Sequence, residues 1–177
     1  MLELYCEVQR LESSLQLPML HEIHRGRAAY SPWSVRRVLP RVPDVKFIAD
    51  YAHFTCVTEV APGTCPVLED ALKDIRPHVG HIHARIGYEN GPQIPDPRAP
   101  EWMGHTEAFE AWWDAIWMEQ ARIQGKEVTT MTPEHGPATY QPALPYTRQP
   151  IADIDEINLW LGRRATQRIS KLSVNRS

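Results

Sequence analysis

The sequence predicts an α/β fold built on a parallel sheet. Three observations carry that expectation. Four short apolar runs of strand length recur along the 177 residues, segments of helical period separate them, and each run ends in a histidine or carboxylate. Strands that alternate with helices pair in parallel, because each crossover helix returns the chain to the same end of the sheet.

The elements follow in order. Leu4, Val8, Leu11 and Leu15 stand at helical spacing with charged residues between them, which predicts an amphipathic helix over 2–15 with the leucine stripe facing the core. The first strand is placed in 17–22, ending at His21 and Glu22 and running into His24, Arg25 and Arg27. Ser31-Pro32-Trp33 opens a helix, with serine as N-cap and proline at the first helical position. Val35, Val38 and Leu39 give that helix a buried face, and Pro40 and Pro43 stop it. The second strand is 45–50, with Asp50 at its end and His53 three residues on. Leu68, Ala71, Leu72 and Ile75 mark a helix before Pro77, and Val79–Ala84 is the third strand, carrying His81 and His83. A proline-rich loop over 91–100 leads past Trp102 into a helix over 107–123. There Phe109, Trp112, Trp113, Ile116 and Trp117 share one apolar face, which is core. The fourth strand, 128–134, ends at Glu134, and Ile154, Ile157, Trp160 and Leu161 belong to a last helix. One domain is expected over 1–170, with a polar tail over 171–177.

Composition narrows the partners. Hydrophobic content of 42% and charged content of 23% are those of a globular domain, and a formal charge of −3 supplies no basic footprint, which disfavours nucleic acid. No run approaches the roughly 20 apolar residues of a membrane span. The three cysteines, Cys6, Cys56 and Cys65, are scattered, as expected of reduced thiols in a cytoplasmic protein.

In a parallel β/α fold the C-terminal strand ends share one face, so Glu22, Asp50, His83 or His81, and Glu134 are expected to meet. Three carboxylates and an imidazole at one point repel unless a cation joins them. The donor set suits one divalent metal ion, Mn²⁺, Mg²⁺ or Co²⁺, with Zn²⁺ admissible. Plainer roles stay open for each residue: Glu22 and Asp50 as helix caps or turn residues, Glu134 as a loop carboxylate, and Arg25, Arg27 and Arg85 as solvated charges. His81 and His83 are assigned to opposite strand faces, leaving one of them a packing residue.

The runs His21-Glu-Ile-His-Arg25, Ala49-Asp-Tyr-Ala-His53, His81-Ile-His-Ala-Arg85 and Thr132-Pro-Glu-His-Gly-Pro137 together resemble the xylose-isomerase-like TIM-barrel superfamily, in its sugar phosphate isomerase/epimerase branch. The resemblance covers residues 18–165. It implies Glu22, Asp50, His83 and Glu134 as metal ligands, with His83 preferred as the second histidine of a His-x-His strand. It further implies Glu22 and Glu134 as the acid–base pair acting on a sugar or small hydroxy-keto substrate through an enediolate. His53, Arg85 and Trp102 would then be substrate contacts. The same superfamily contains metal-dependent endonucleases, so a phosphodiesterase is the second function carried here, and a non-catalytic remnant of the fold the third. A complete barrel takes eight β/α units and about 250 residues. Four units resemble strands five to eight only, so the resemblance implies half a barrel that is a fragment, closes as a homodimer, or docks on a missing N-terminal half-barrel.

Overall fold

A computed structural model of the chain describes residues 2–174. It is an α/β protein in which α1 (Leu2–Leu15), β1 (His21–Glu22), α2 (Pro32–Val38), β2 (Phe47–Ala49), α3 (Ala52–Thr58), α4 (Pro66–Ile75), β3 (Val79–Ala84), α5 (Met103–Met118), β4 (Met131–Pro133) and α6 (Ile154–Val174) follow one another. The four strands form one open sheet in the order β1-β2-β3-β4, parallel throughout. The expected α/β class and parallel pairing are therefore present. Residues 171–174, expected as tail, continue α6, and 175–177 lie outside the described residues.

The core lies on one side of this sheet. Phe47, Ala49, Val79, Ile82 and Ala84 are buried from the strands, and Val35, Leu68, Leu72, Ile75, Phe109, Trp113, Ile116, Trp117, Ile157 and Leu161 are buried from the helices. The predicted tryptophan face of α5 is all within this core. A register shift at Phe47/Ile48 lets both Val79 and Ile82 point inward although they are three residues apart. Opposite this side, Leu20, Ile48, His81, Thr130 and Thr132 stay partly or fully exposed. Parallel sheets are normally covered on both faces, so a half-bare one is unusual.

Two helices differ from expectation. In α1 the predicted buried stripe is turned outward: Leu4, Leu11 and Leu15 are exposed and Tyr5 is the buried residue. Aromatic packing decides the rotation, since the Tyr5 ring meets His21 edge-on at 4.5 Å and Phe47 at 6.2 Å. Helix α3, between Asp50 and Glu59, is an element the apolar period did not signal. Helix α2, by contrast, starts as predicted, with Ser31 and Ser34 forming a reciprocal capping box.

Gly87 fixes how the loop after β3 meets α3. A Cβ there would lie 2.8 Å from the Ala52 carbonyl oxygen and 2.8 Å from Thr55 Oγ1, distances that demand backbone movement. Gly87→Ala is expected to destabilise the chain by about 1–3 kcal/mol, as overpacking does. Urea unfolding would show this as a lower midpoint at unchanged slope, and an unchanged midpoint would mean that the loop retreats freely.

Candidate functional site

The strand ends converge. Glu22 closes β1, Asp50 follows β2 directly, His83 is the penultimate residue of β3, and Glu134 follows β4. One donor atom from each lies within 4.8 Å of all the others. Three inter-strand spacings, about 14 Å, separate the first and last strands of a flat four-stranded sheet. Carboxylates from both can meet only by reaching inward across the two central strands.

Local structure places each residue. The amide of Asp50 donates to Ile48 and that of His53 to Asp50. The strand thus turns straight into α3, and Asp50 and His53 sit one helical turn apart on one face. The amide of Glu134 donates to the Ala84 carbonyl, extending the β4 pairing by one residue. Past it, Asn158 of α6 brackets His135, accepting from its N–H at 2.8 Å and donating to its carbonyl at 3.0 Å. Gln93, from the proline-rich loop, does the same to Gly136 at 2.7 and 3.0 Å. Glu134 therefore stands on backbone pinned from both sides.

The contacts within the set are ionic. His83 Nδ1 lies 2.6 Å from Glu134 Oε2 and 3.5 Å from Glu22 Oε1. Arg85 reaches Asp50 Oδ2 at 3.2 Å through Nε and Glu134 Oε1 at 2.9 Å through Nη2. Arg27 pairs with Glu22, and His53 Nε2 is 3.4 Å from Asp50 Oδ2. His24 packs its ring on His53 at 4.0 Å and places Nε2 3.4 Å from the Tyr140 hydroxyl, while the Tyr140 ring covers Arg85 at 4.3 Å. Both oxygens of Asp50, both nitrogens of His53 and of His135, and Nη1 of Arg85 are buried without a hydrogen-bond partner of good geometry.

Burial and charge shift the protonation of these groups in different directions. Asp50, wholly buried, is pushed up to about 8 by desolvation, which the Arg85 charge only partly offsets. Burial would raise Glu134, but the His83 hydrogen bond and the Arg85 charge outweigh it and hold that carboxyl low. Burial would lower His83, and Glu134, Asp50 and Glu22 together overcome it and raise the imidazole. His53 is lowered to about 3 by desolvation and by its neighbours His24 and Arg85. His135 falls to about 4, again mainly by burial.

Of the residues singled out in the sequence, Glu22, Asp50, His83 and Glu134 meet, and His53 and Arg85 touch them. Trp102 does not share their contacts: its ring packs on Tyr88 at 5.4 Å and on His105 at 5.2 Å. The assignment of His81 and His83 to opposite faces is incorrect. Residues two apart on a strand share a face, and the two rings lie 5.4 Å apart. His81 is removed from the carboxylates by one step along the strand and is held by the Thr130 and Thr132 hydroxyls at 2.7 and 3.0 Å. Sequence reasoning missed His24, His135 and Tyr140 as members of the surroundings. The first two adjoin motif residues, whereas Tyr140 arrives on a loop whose path no local pattern encodes.

The donor set fits a divalent cation: three carboxylates and one imidazole, one fully buried carboxylate with neither oxygen well hydrogen-bonded, and ligand atoms close enough to share one ion. No family model, curated protein or solved structure matches the chain. No helix among the described residues is long and apolar enough to cross a membrane.

The buried imidazole of His53 gives a pH test. Its folded value lies below the ordinary 6.5. The unfolded chain therefore takes up the extra proton first, and stability is lost as pH falls from about 6.5 toward 3. Between pH 7 and pH 5, wild type is expected to lose on the order of 1–2 kcal/mol more than His53→Gln in urea unfolding. A difference independent of pH would show that His53 titrates normally.

Proposed function

We propose that this chain carries a mononuclear divalent-metal centre of an isomerase or epimerase acting on a sugar or small hydroxy-keto compound, in the manner of the xylose-isomerase-like TIM barrels its motifs resemble. The observation that supports it is the meeting of Glu22, Asp50, His83 and Glu134 from four successive parallel strands within 4.8 Å. Among the described residues it is the one such set, which favours a single ion over the metal cluster of a phosphodiesterase.

Glu22, Asp50, His83 and Glu134 would hold the ion. When bound, it would act as a Lewis acid toward the carbonyl and hydroxyl oxygens of the substrate. The chain's own groups supply the rest. Glu22 and Glu134 come from the two outer strands and approach from opposite sides, the arrangement needed to remove a proton from one face of a carbon beside a carbonyl and return one on the other. Glu134, held low by His83 and Arg85, is ionised at neutral pH and suited to be the base. His53, neutral at that pH, would keep Nε2 toward Asp50 and offer its other ring nitrogen to a substrate hydroxyl. Arg85 Nη1 offers a further buried donor.

The half-bare sheet bears on the partner. Its exposed face and its outer β1 and β4 edges fit a half that further parallel strands complete, whether from a second copy or from a separate N-terminal half-barrel.

Two measurements test the reading. Mn²⁺ is expected to bind with one ion per chain and to lose at least tenfold in affinity in His83→Ala, with calorimetric titration as the check. Glu134→Gln is expected to slow solvent-deuterium incorporation into a ketose or hydroxy-keto substrate by about 10²–10⁴-fold, the usual scale of a lost general base. Unchanged exchange would remove Glu134 from that role.

A further inference from the structure

We propose that Arg85 is a built-in counter-cation of this centre, holding Asp50 and Glu134 together when no ion is bound and loosening the grip of the site on a divalent ion. The inference rests on reading the four residues as a metal centre, and it concerns a residue that is not one of the ligands.

The geometry is specific. Arg85 lies two residues beyond His83, and its amide donates to the His83 carbonyl at 3.0 Å, so the chain turns as it leaves β3 and directs the guanidinium back across the strand ends. The side chain is almost fully buried. It spans two carboxylates from different strands, Asp50 Oδ2 through Nε and Glu134 Oε1 through Nη2. Tyr140 closes over the planar group at 4.3 Å, which fixes it in place. Asp50 Oδ1 and Glu134 Oε2 are not engaged by the arginine, and the second lies beside His83 Nδ1. The arginine and an ion can thus share both carboxylates, each through its own oxygen.

The charge balance gives the consequence. In the deprotonated form that a bound ion would require, three carboxylates with neutral imidazole carry −3, and Arg85 with the Arg27 partner of Glu22 brings that ligand set to about −1. The arginine is permanently charged and cannot step aside by losing a proton. It therefore stands as a fixed positive charge within a few ångströms of any bound ion, in surroundings that screen it poorly. Removing it raises the proton affinity of Asp50 and Glu134 as well. A divalent ion nevertheless feels the change twice as strongly as a proton at equal distance, so metal binding gains more. A lysine would keep the charge but lose the two-point bridge.

The experiment compares wild type, Arg85→Met and Arg85→Lys as the 177-residue chain at pH 8, titrated with Co²⁺ and followed by visible absorption, with thermal melting in chelator and in saturating Co²⁺. Arg85→Met is expected to bind Co²⁺ at least tenfold more tightly than wild type while melting lower in chelator, the gap narrowing when Co²⁺ is added. Arg85→Lys should fall between the two in affinity. Equal or weaker Co²⁺ binding by Arg85→Met overturns the proposal. Should Arg85→Met fold only with Co²⁺ present, that rescue supports it. Should it fold in neither condition, Arg85→Gln carries the same expectation of tighter binding. A His83→Ala control separates the two readings. If wild type binds Co²⁺ and His83→Ala does not, yet removing Arg85 tightens nothing, the counter-cation fails and the metal centre stands. If no variant and not wild type binds Co²⁺, the metal centre itself fails, and this inference with it.

Discussion

The crowding of negative charge at four strand ends is the constraint on which the rest of the structure turns. Asp50 is wholly buried, and Glu22 and Glu134 approach it from the two outer strands of the sheet. Desolvation alone makes such a carboxylate costly, and two like neighbours make it more so. Nearly every polar feature around the set answers this charge: the Arg85 bridge, the Arg27 pair, the raised His83. A divalent ion would be a further and stronger answer, and it is the basis of the proposed isomerase reading.

The strand ends were legible in the sequence because two independent signals coincide there. An apolar run predicts a strand, and the first polar residue after it must emerge at the end that all parallel strands share. Residue type and position then agree at Glu22, Asp50, His83 and Glu134. Helix α1 shows the opposite case. Its leucines have the correct period, but period assigns a stripe without saying which side a large aromatic will claim, and Tyr5 claims the other. Helix α3 was invisible because its buried residues include His53 and Thr55, so its inward face is polar where it meets the site. The surroundings of Arg85 needed the loop after Gly136 to be folded before Tyr140 could be placed. Trp102 is placed near the pocket by its position after the loop, whereas its ring is held by Tyr88 of the loop after β3 and by His105 in the first turn of α5.

The two sides of the sheet obey different rules. Beneath the helices the packing is that of an ordinary α/β core, with aliphatic strand residues against the tryptophan face of α5. On the other side the residues are histidines, threonines, carboxylates and isolated aliphatics, and water reaches most of them. The strands are also short, two residues in β1 and three in β4. A sheet of this kind is organised for its rim more than for its interior.

Those short outer strands carry a dynamic consequence. By ladder hydrogen bonds alone, β1 and β4 should fray readily, opening at far lower cost than the central pair β2 and β3. Yet each outer strand contributes a carboxylate to the same point, Glu22 from one and Glu134 from the other. An ion gripped by both, and by Asp50 and His83 between them, would act as a clasp across the whole width of the sheet. Neither margin could then open without surrendering a ligand. Amide exchange at the periphery would slow toward that of the centre, and four strands that otherwise loosen one by one would behave as a single cooperative unit.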